Sequence, residues 1–300
     1  MTRFSKFSKI EHYLKKAGIR KKIALACAHD GPALSAVVHA VRQGLAEAVL
    51  IGDEVRILAL LAEMKEDPAS YRILHETEER AAAAEAVALV RGREADIVMK
   101  GLMQTASYMR AILDKQTGIL PAGRVLSETT LAEYPAGNRF LLITDCGINI
   151  SPDLETKVKI LNNAVDLAHL LGIECPKAAC LSALELVNPK IPSSVEAAAL
   201  ADMEWKGCEV QGPLALDNAI DKLAAEHKGI SGPVAGNADI LLVPDLVAGN
   251  ILHKSLNFFA GCRMAGVVCG TEHPVILTSR TDDPATKYHS ILIAILQCAR

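Results

Sequence analysis

The sequence predicts an α/β protein built on parallel sheets. Three observations lead there. Half of its 300 residues are hydrophobic while only 4% are aromatic. Its apolar runs are continuous rather than alternating, as in KKIALACAHD (21–30) and ADILLVPD (238–245), which suits strands buried on both faces. Each run is followed by a segment with helical spacing, the order that builds right-handed βαβ crossovers. A chain this long buries roughly three quarters of its unfolded surface. It makes one large domain or two ordinary ones.

The elements follow in order. Residues 7–18 form an amphipathic opening helix. KKIALACAHD passes through Gly31-Pro32 into a helix that ends at Gly44. EAVLIGD (47–53) and a helix over 54–64 repeat the unit, and residues 76–92 form a helix stopped by Gly92. ADIVMKG (95–101) is a strand and residues 103–115 a helix. Residues 116–138 hold Gly118, Pro121, Gly123 and Pro135 with weak periodicity, and mark a domain crossing. RFLLITDCG (139–147) restarts the strands. Ser151-Pro152-Asp153 has a serine cap, proline at the first helical position and an acid in the first turn. KAACLSAL (177–184), CEVQGPLAL (208–216), ADILLVPD, MAGVVCG (264–270) and PVILTSR (274–280) are further strands. Ser193 to Glu196 has capping-box spacing, and residues 282–299 form a terminal helix.

The charge is near balance, 32 basic against 35 acidic residues. Nothing in it points to a nucleic-acid partner. The N-terminal stretch carries charges throughout and lacks an apolar signal core, and no run is apolar enough to span a membrane. The eight cysteines lie mostly inside apolar segments without a CxxC pair. The expectation is reduced thiols, no structural zinc and a cytoplasmic protein.

Ligands of open parallel sheets bind at the carboxyl ends of strands. Those ends carry Lys100-Gly101, with Thr105 and Arg110 beyond; Asp145; Asn188; Gln211, with Asp217 beyond; Asp245, with Asn250 and Lys254 beyond; and Ser279-Arg280, with Asp282 and Asp283 beyond. Several have plain structural explanations. Asp283 before Pro284 is an ideal helix cap, Asp245 suits an Asx turn, and Asn250 suits loop closure. Lys254 suits a helix surface, and Arg110 a solvated helix face. A cation at the end of a buried strand beside Gly or Ser, as at Lys100-Gly101 and Ser279-Arg280, suits an oxyanion or phosphate. GxGxxG after the first strand, GxxxxGK[ST], HExxH and GxSxG are all absent. The glycines of GISGPVAGNAD (229–239) precede a strand, so they make a close backbone approach or a loop.

DIVMKGLMQTASYMRAIL (96–113), NPKIPSSVEA (188–197), VQGPLALDNAI (210–220), VAGNADILLVPDLVAGNILHKSL (234–256) and PVILTSRTDDPATKYHSI (274–291) occur in this order. Together they resemble the phosphate acetyl/butyryltransferase family, over nearly the whole chain from about residue 20. VPDLVAGNILHK and LTSR look most like its butyryltransferase branch.

The resemblance implies reversible conversion of acyl-CoA and phosphate to acyl phosphate and CoA, with no metal and no redox cofactor. It implies two parallel-sheet α/β domains with an interdomain cleft, similar to isocitrate and isopropylmalate dehydrogenases. Residues 1–125 would be joined by a returning 280–300, and residues 126–279 would form the second domain. A homodimer or higher even homo-oligomer is implied. Ser279 and Arg280 match the family's reacting pair, Arg110 matches a family arginine, and Lys100, Gly101 and Thr105 would help bind phosphate or CoA. Asp145, Asn188, Asp217 and Asp245 would line the cleft, and Asn250 and Lys254 would contact phosphate or CoA. One departure matters. The acetyltransferase branch carries an aspartate, its candidate base, seven residues after the motif serine, where this chain has Thr286. Either Asp283 or Asp282 takes that part, or the thiol loses its proton with less help.

Two other functions compete. A metal- and NAD-dependent decarboxylating dehydrogenase on the same fold would need clustered aspartates, and Asp217, Asp239 and Asp245 lack that helical spacing. A silent acyl-CoA-binding protein would bind without turnover.

Overall fold

The structure, a computed structural model, describes residues 3–134 and 138–299. In chain order its elements are α1 (Phe7–Lys16), β1 (Lys21–Ala26), α2 (Gly31–Arg42), β2 (Ala46–Gly52), α3 (Glu54–Glu63), β3 (Arg72–His75), α4 (Glu79–Arg91), β4 (Ile97–Lys100) and α5 (Thr105–Ile112). Then come β5 (Ser127–Tyr134), β6 (Arg139–Thr144), α6 (Leu154–Leu170), β7 (Lys177–Leu181), α7 (Pro192–Ala201), β8 (Glu209–Leu214), α8 (Leu216–Ile220), α9 (Lys222–His227), β9 (Ile240–Leu242), α10 (Leu246–Phe258), β10 (Met264–Cys269), β11 (Val275–Ile276) and α11 (Pro284–Cys298). The chain divides into two compact units.

The first unit comprises Phe7–Arg124 and Ala265–Arg300. Its strands run in the order β3-β2-β1-β4-β11-β10. All pairs are parallel except β10 with β11, which form a hairpin. The chain therefore returns to this unit at Ala265 rather than at residue 280, because β11 pairs with β4 and β10 with β11. Ile23, Leu25, Ile97 and Met99 are buried on the strands. α11 is buried from Lys287 through Leu296, except at His289, and packs on α2 and α1. Register matters for function. Ala26 pairs with Lys100, and Ile276 with Met99. The three central strands thus end nearly level and deliver Cys27, Gly101 and Thr278 to one edge. The fully buried Tyr108 hydroxyl lies 3.1 Å from the Val98 carbonyl and 3.2 Å from that of Ile276, tying β4 to β11.

The second unit comprises Met1–Lys6 and Val125–Met264, with strand order β5-β6-β9-β7-β8. β6, β9, β7 and β8 are parallel, while β5 runs antiparallel to β6. β5 lies where the sequence suggested only a crossing. Its SETTLAEY carries little apolar signal, yet Ser127, Glu128, Thr129 and Thr130 are buried by their neighbours. Pro135, one of the expected turn formers, lies outside the described residues. Leu141, Ile143, Ala179, Leu214, Leu241 and Val243 form the heart of the core.

Two caps differ from expectation. α6 is capped by Asp153, whose carboxylate accepts from the Thr156 N–H at 2.8 Å, so Ser151 and Pro152 stand outside the helix. The expected capping box at Ser193 does not form. α7 starts at Pro192 after Ile191, which offers no side-chain cap, and Glu196 pairs with the buried Lys157 instead. Burial of that lysine on α6 draws the carboxylate away from the helix end.

Candidate functional site

In the first unit, β4 ends in Lys100-Gly101. A Cβ on Gly101 would meet the Cys27 carbonyl at 2.2 Å and the Ala26 carbonyl at 2.7 Å, so only glycine lets the two strand ends close up. The Gly101 N–H donates to Ala26 O at 2.8 Å. Lys100 is 4% exposed, and its ammonium has one acceptor, Gly101 O at 3.2 Å. Across the same edge stands Lys287, 2% exposed, on the first turn of α11. Its Nζ donates to Thr278 Oγ1 at 2.9 Å and to Ser279 O at 2.7 Å. Among the described residues neither lysine has a carboxylate within ion-pair distance.

The electrostatics follow from that arrangement. Burial pushes both ammonium groups below the ordinary lysine range. For Lys100, the charges of Lys287 and Arg280 push the same way and Asp30 opposes them. For Lys287, Asp282, Asp30 and Asp283 oppose the burial cost. Sequence reasoning missed Lys287. A lysine four residues past a helix cap reads as a solvated side chain, and only the packing of α11 shows it buried.

The loop between β11 and α11 carries Ser279 and Arg280. Asp282, itself 8% exposed, accepts from the Ser279 N–H at 2.7 Å, and Lys287 holds the Ser279 carbonyl. The loop is thus gripped from both sides at Ser279. The Ser279 hydroxyl lies 3.0 Å from Thr281 Oγ1 and is exposed. Arg280 is exposed and has no hydrogen bond or ion pair among the described residues. Asp283 caps α11, accepting from the Thr286 N–H at 2.7 Å, as its place before Pro284 suggested. That bond engages one of its two oxygens. Thr286 contributes that N–H, and its carbonyl accepts from Ser290 Oγ at 3.1 Å.

On α5, Thr105 and Arg110 are exposed, and Arg110 also has no partner among the described residues. Burial pushes the Cys27 thiol up to about 11, with Glu79 adding to the effect. It stays protonated at neutral pH and makes a poor nucleophile.

The second unit treats its strand-end polar groups differently. Asp145, 3% exposed, accepts from the N–H groups of Gly147 (2.8 Å) and Ile148 (2.9 Å), from Asn149 Nδ2 (2.6 Å) and from the Glu128 N–H (3.3 Å). It organises a turn and has little capacity left for a ligand. Asn188 accepts from the Lys190 N–H at 3.0 Å, within a turn closed by Ser194. Asp217 pairs with Lys228 at 2.9 Å. Asp245 caps α10 through the Ala248 N–H at 2.9 Å. Asp145, Asn188 and Asp217 thus serve a turn, a loop and an ion pair, and Asp245 a helix cap. Gln211 accepts from the Val234 and Ala235 N–H groups, and a Cβ on Gly232 would meet its Oε1 at 2.4 Å. The glycine-rich segment is thus a close backbone approach. Asn250 makes one long bond, to Cys146 O at 3.4 Å. Lys254 is exposed without a partner among the described residues.

Two hollows lie away from these cations. One of about 690 Å³ in the first unit is walled largely by Ala81, Ala84, Ala88, Ala111 and Ile73, and Lys100, Arg280 and Lys287 do not line it. An apolar one of about 350 Å³ in the second unit lies between Leu181, Leu216, Val243, Ile251 and Leu252. Among the described residues no cluster of His, Cys, Asp and Glu has the makings of a metal site.

The geometry assembles cations around one strand edge, and the sequence around it matches a known family. Residues 59–295 match the phosphate acetyl/butaryl transferase family. The chain belongs to that family. It is 43% identical over 280 residues to a phosphate butyryltransferase of Clostridium acetobutylicum, covering 92% of this chain and 93% of that protein. It is 41% identical over 281 residues to a phosphate acetyltransferase of Thermotoga maritima, covering 92% and 95%. A crystal structure of a branched-chain phosphotransacylase from Enterococcus faecalis superposes with a TM-score of 0.84 at 34% identity, covering 93% of this chain and 99% of that one. This phosphate acyltransferase therefore has the α/β fold of its family, with mostly parallel sheets.

Proposed function

We propose that this phosphate acyltransferase moves a short acyl group, butyryl in preference, between coenzyme A and phosphate: acyl-CoA + phosphate gives acyl phosphate + CoA. The observation that carries the reading is the unpaired Arg280 guanidinium beside Ser279, on a loop gripped by Asp282 and the buried Lys287, at the edge where Lys100 ends β4. A phosphate oxygen attacks the thioester carbonyl, an oxyanion forms, and its collapse breaks the C–S bond. Arg280 clamps two phosphate oxygens with its planar fork. The Ser279 hydroxyl donates to the carbonyl oxygen as negative charge grows there, an interaction worth about 10²–10³ in rate when the donor is preorganised. Lys100 and Lys287 supply positive potential without leaving the strand edge.

In the reverse direction the CoA thiol must lose a proton. Asp283 has one oxygen outside its cap bond, and we assign it that role in place of the family aspartate. A thiol with a pKa of about 8.5 needs only modest assistance. Thr105 and Arg110 are assigned to phosphate or CoA, as are Asn250 and Lys254. The proposed chemistry uses no metal and no redox cofactor. We further infer a cytoplasmic homodimer or higher even oligomer. The location is supported by eight cysteines that are all free, and no helix among the described residues is long and apolar enough to cross a membrane.

The butyryl preference is supported by the motifs VPDLVAGNILHK and LTSR and by the 43% identical butyryltransferase. Acetyl transfer is the second reading, favoured by the 41% identical acetyltransferase. Following CoA release from butyryl-CoA and acetyl-CoA with and without phosphate tests both. Phosphate-dependent release, faster with butyryl-CoA, is expected. Faster release from acetyl-CoA moves the preference, and none from either overturns the reading.

A further inference from the structure

Lys100 and Lys287 present an unusual pairing. Both are buried, Lys100 feels the charges of Lys287 and Arg280, and neither has a carboxylate within ion-pair distance among the described residues. An ammonium carries three hydrogens and a neutral amine two. Among the described residues Lys287 donates to two acceptors, Thr278 Oγ1 and Ser279 O. Lys100 has a single acceptor, Gly101 O at 3.2 Å. The nearby carboxylates each hold a backbone N–H through one oxygen. Asp30 caps α2, Asp283 caps α11 and Asp282 holds the Ser279 N–H. An oxyanion at this edge would accept from both lysines and bring a negative charge within ion-pair distance.

We propose that the Lys100–Lys287 pair takes up a proton when an oxyanion fills the site and releases it when the anion leaves. The proposal rests on the reading of this edge as the phosphate site. The proton comes from solvent and adds to an amine lone pair, giving an ammonium that donates to the anion. The charged and titratable groups acting on Lys100 are Lys287, Arg280, Asp30 and the Cys27 thiol, and those acting on Lys287 are Lys100, Asp282, Asp30 and Asp283. Burial lowers the proton affinity of both lysines, which is consistent with this exchange.

Calorimetric titration with sulfate tests it, because sulfate stays a dianion across the range and phosphate does not. Titrations in buffers of different ionisation enthalpy count the protons exchanged. The expected result is net uptake per sulfate bound, growing as pH rises from neutrality toward the ordinary lysine range of about 10.4, because more amine is present before sulfate binds. Lys287→Arg and Lys100→Arg keep a permanent charge, so at least one should bind sulfate with clearly less uptake. Lys287→Met and Lys100→Met, which replace a buried cation by an apolar chain of similar length, should lose sulfate affinity. Sulfate binding without proton exchange in the wild type overturns the proposal, and so does no sulfate binding at all. Uptake that fades above about pH 7 also overturns it, because that trend belongs to His29, whose pKa burial lowers. Uptake unchanged in both arginine variants overturns it equally. Assaying CoA release on the same preparation separates the two claims. Turnover without proton uptake removes this inference alone, and uptake without turnover removes only the acyl-transfer reading.

Discussion

After β4 and β11, the first unit places Lys100, Ser279 and Arg280, with Lys287 reaching back from α11. After β6, and beyond β8, the second unit places Asp145 and Asp217. In sequence these sets look alike, polar residues following buried runs. In structure they differ in what their hydrogen-bonding groups do. Asp145 spends both oxygens on Gly147, Ile148, Asn149 and Glu128, and Asp217 is paired with Lys228. Arg280 and Arg110 have no partner among the described residues, and Lys100 has only one. A strand end built for the fold satisfies its polar groups internally. One proposed to meet a ligand leaves donors unspent among the described residues, and its buried lysines carry a cost in solvation.

The contrast breaks most visibly at Asp145. Asp145→Ala removes a buried carboxylate from several N–H donors, and should cost about 3 kcal/mol or more in urea unfolding. A loss below about 1 kcal/mol would mean that its turn holds without it. Next comes Gly101→Ala. A Cβ there lies 2.2 Å from the Cys27 carbonyl, so β4 and β1 must part. We expect a loss of about 2 kcal/mol in the same assay, together with reduced turnover because Lys100 shifts.

Lys100→Met sharpens the comparison from the other side. Removing an ill-solvated cation should leave stability at pH 7 within about 1 kcal/mol of wild type, or above it. The pH dependence has a definite sign. The folded lysine holds its proton less tightly than the unfolded one, whose pKa is about 10.4. Between the lowered folded pKa and that value, the unfolded chain binds more protons. Wild-type stability therefore rises with pH through that window. Lys100→Met should make the rise shallower, and an unchanged slope would show that Lys100 is not strained by burial. The smallest effect is expected at Lys254, exposed and unpaired in the second unit. Lys254→Ala should change stability by less than about 0.5 kcal/mol while raising the KM for acyl-CoA. An unchanged KM would return Lys254 to a plain surface role.

The parallel strands were legible because their apolar runs are continuous, and so were the places of Lys100-Gly101 and Ser279-Arg280 at the ends of such runs. β5 was not, since SETTLAEY is buried by its neighbours rather than by its own apolarity. Lys287 was hidden for the same reason. Its burial comes from α11 packing on α2, which no local pattern records. The part Asp145 plays in its turn was not legible, because a strand-end aspartate looks the same in sequence whether it lines a site or organises a turn. Only the accounting of its donors separates the two.

The central claim is that the unpaired guanidinium on the β11–α11 loop acts on the reacting phosphate. The direct measurement is phosphate-dependent CoA release from butyryl-CoA by Arg280→Ala beside wild type, with circular dichroism and thermal unfolding on the same samples. The account predicts a loss of about 100-fold or more in kcat/KM with an unchanged melting curve. Turnover near the wild-type rate from a folded variant would contradict it.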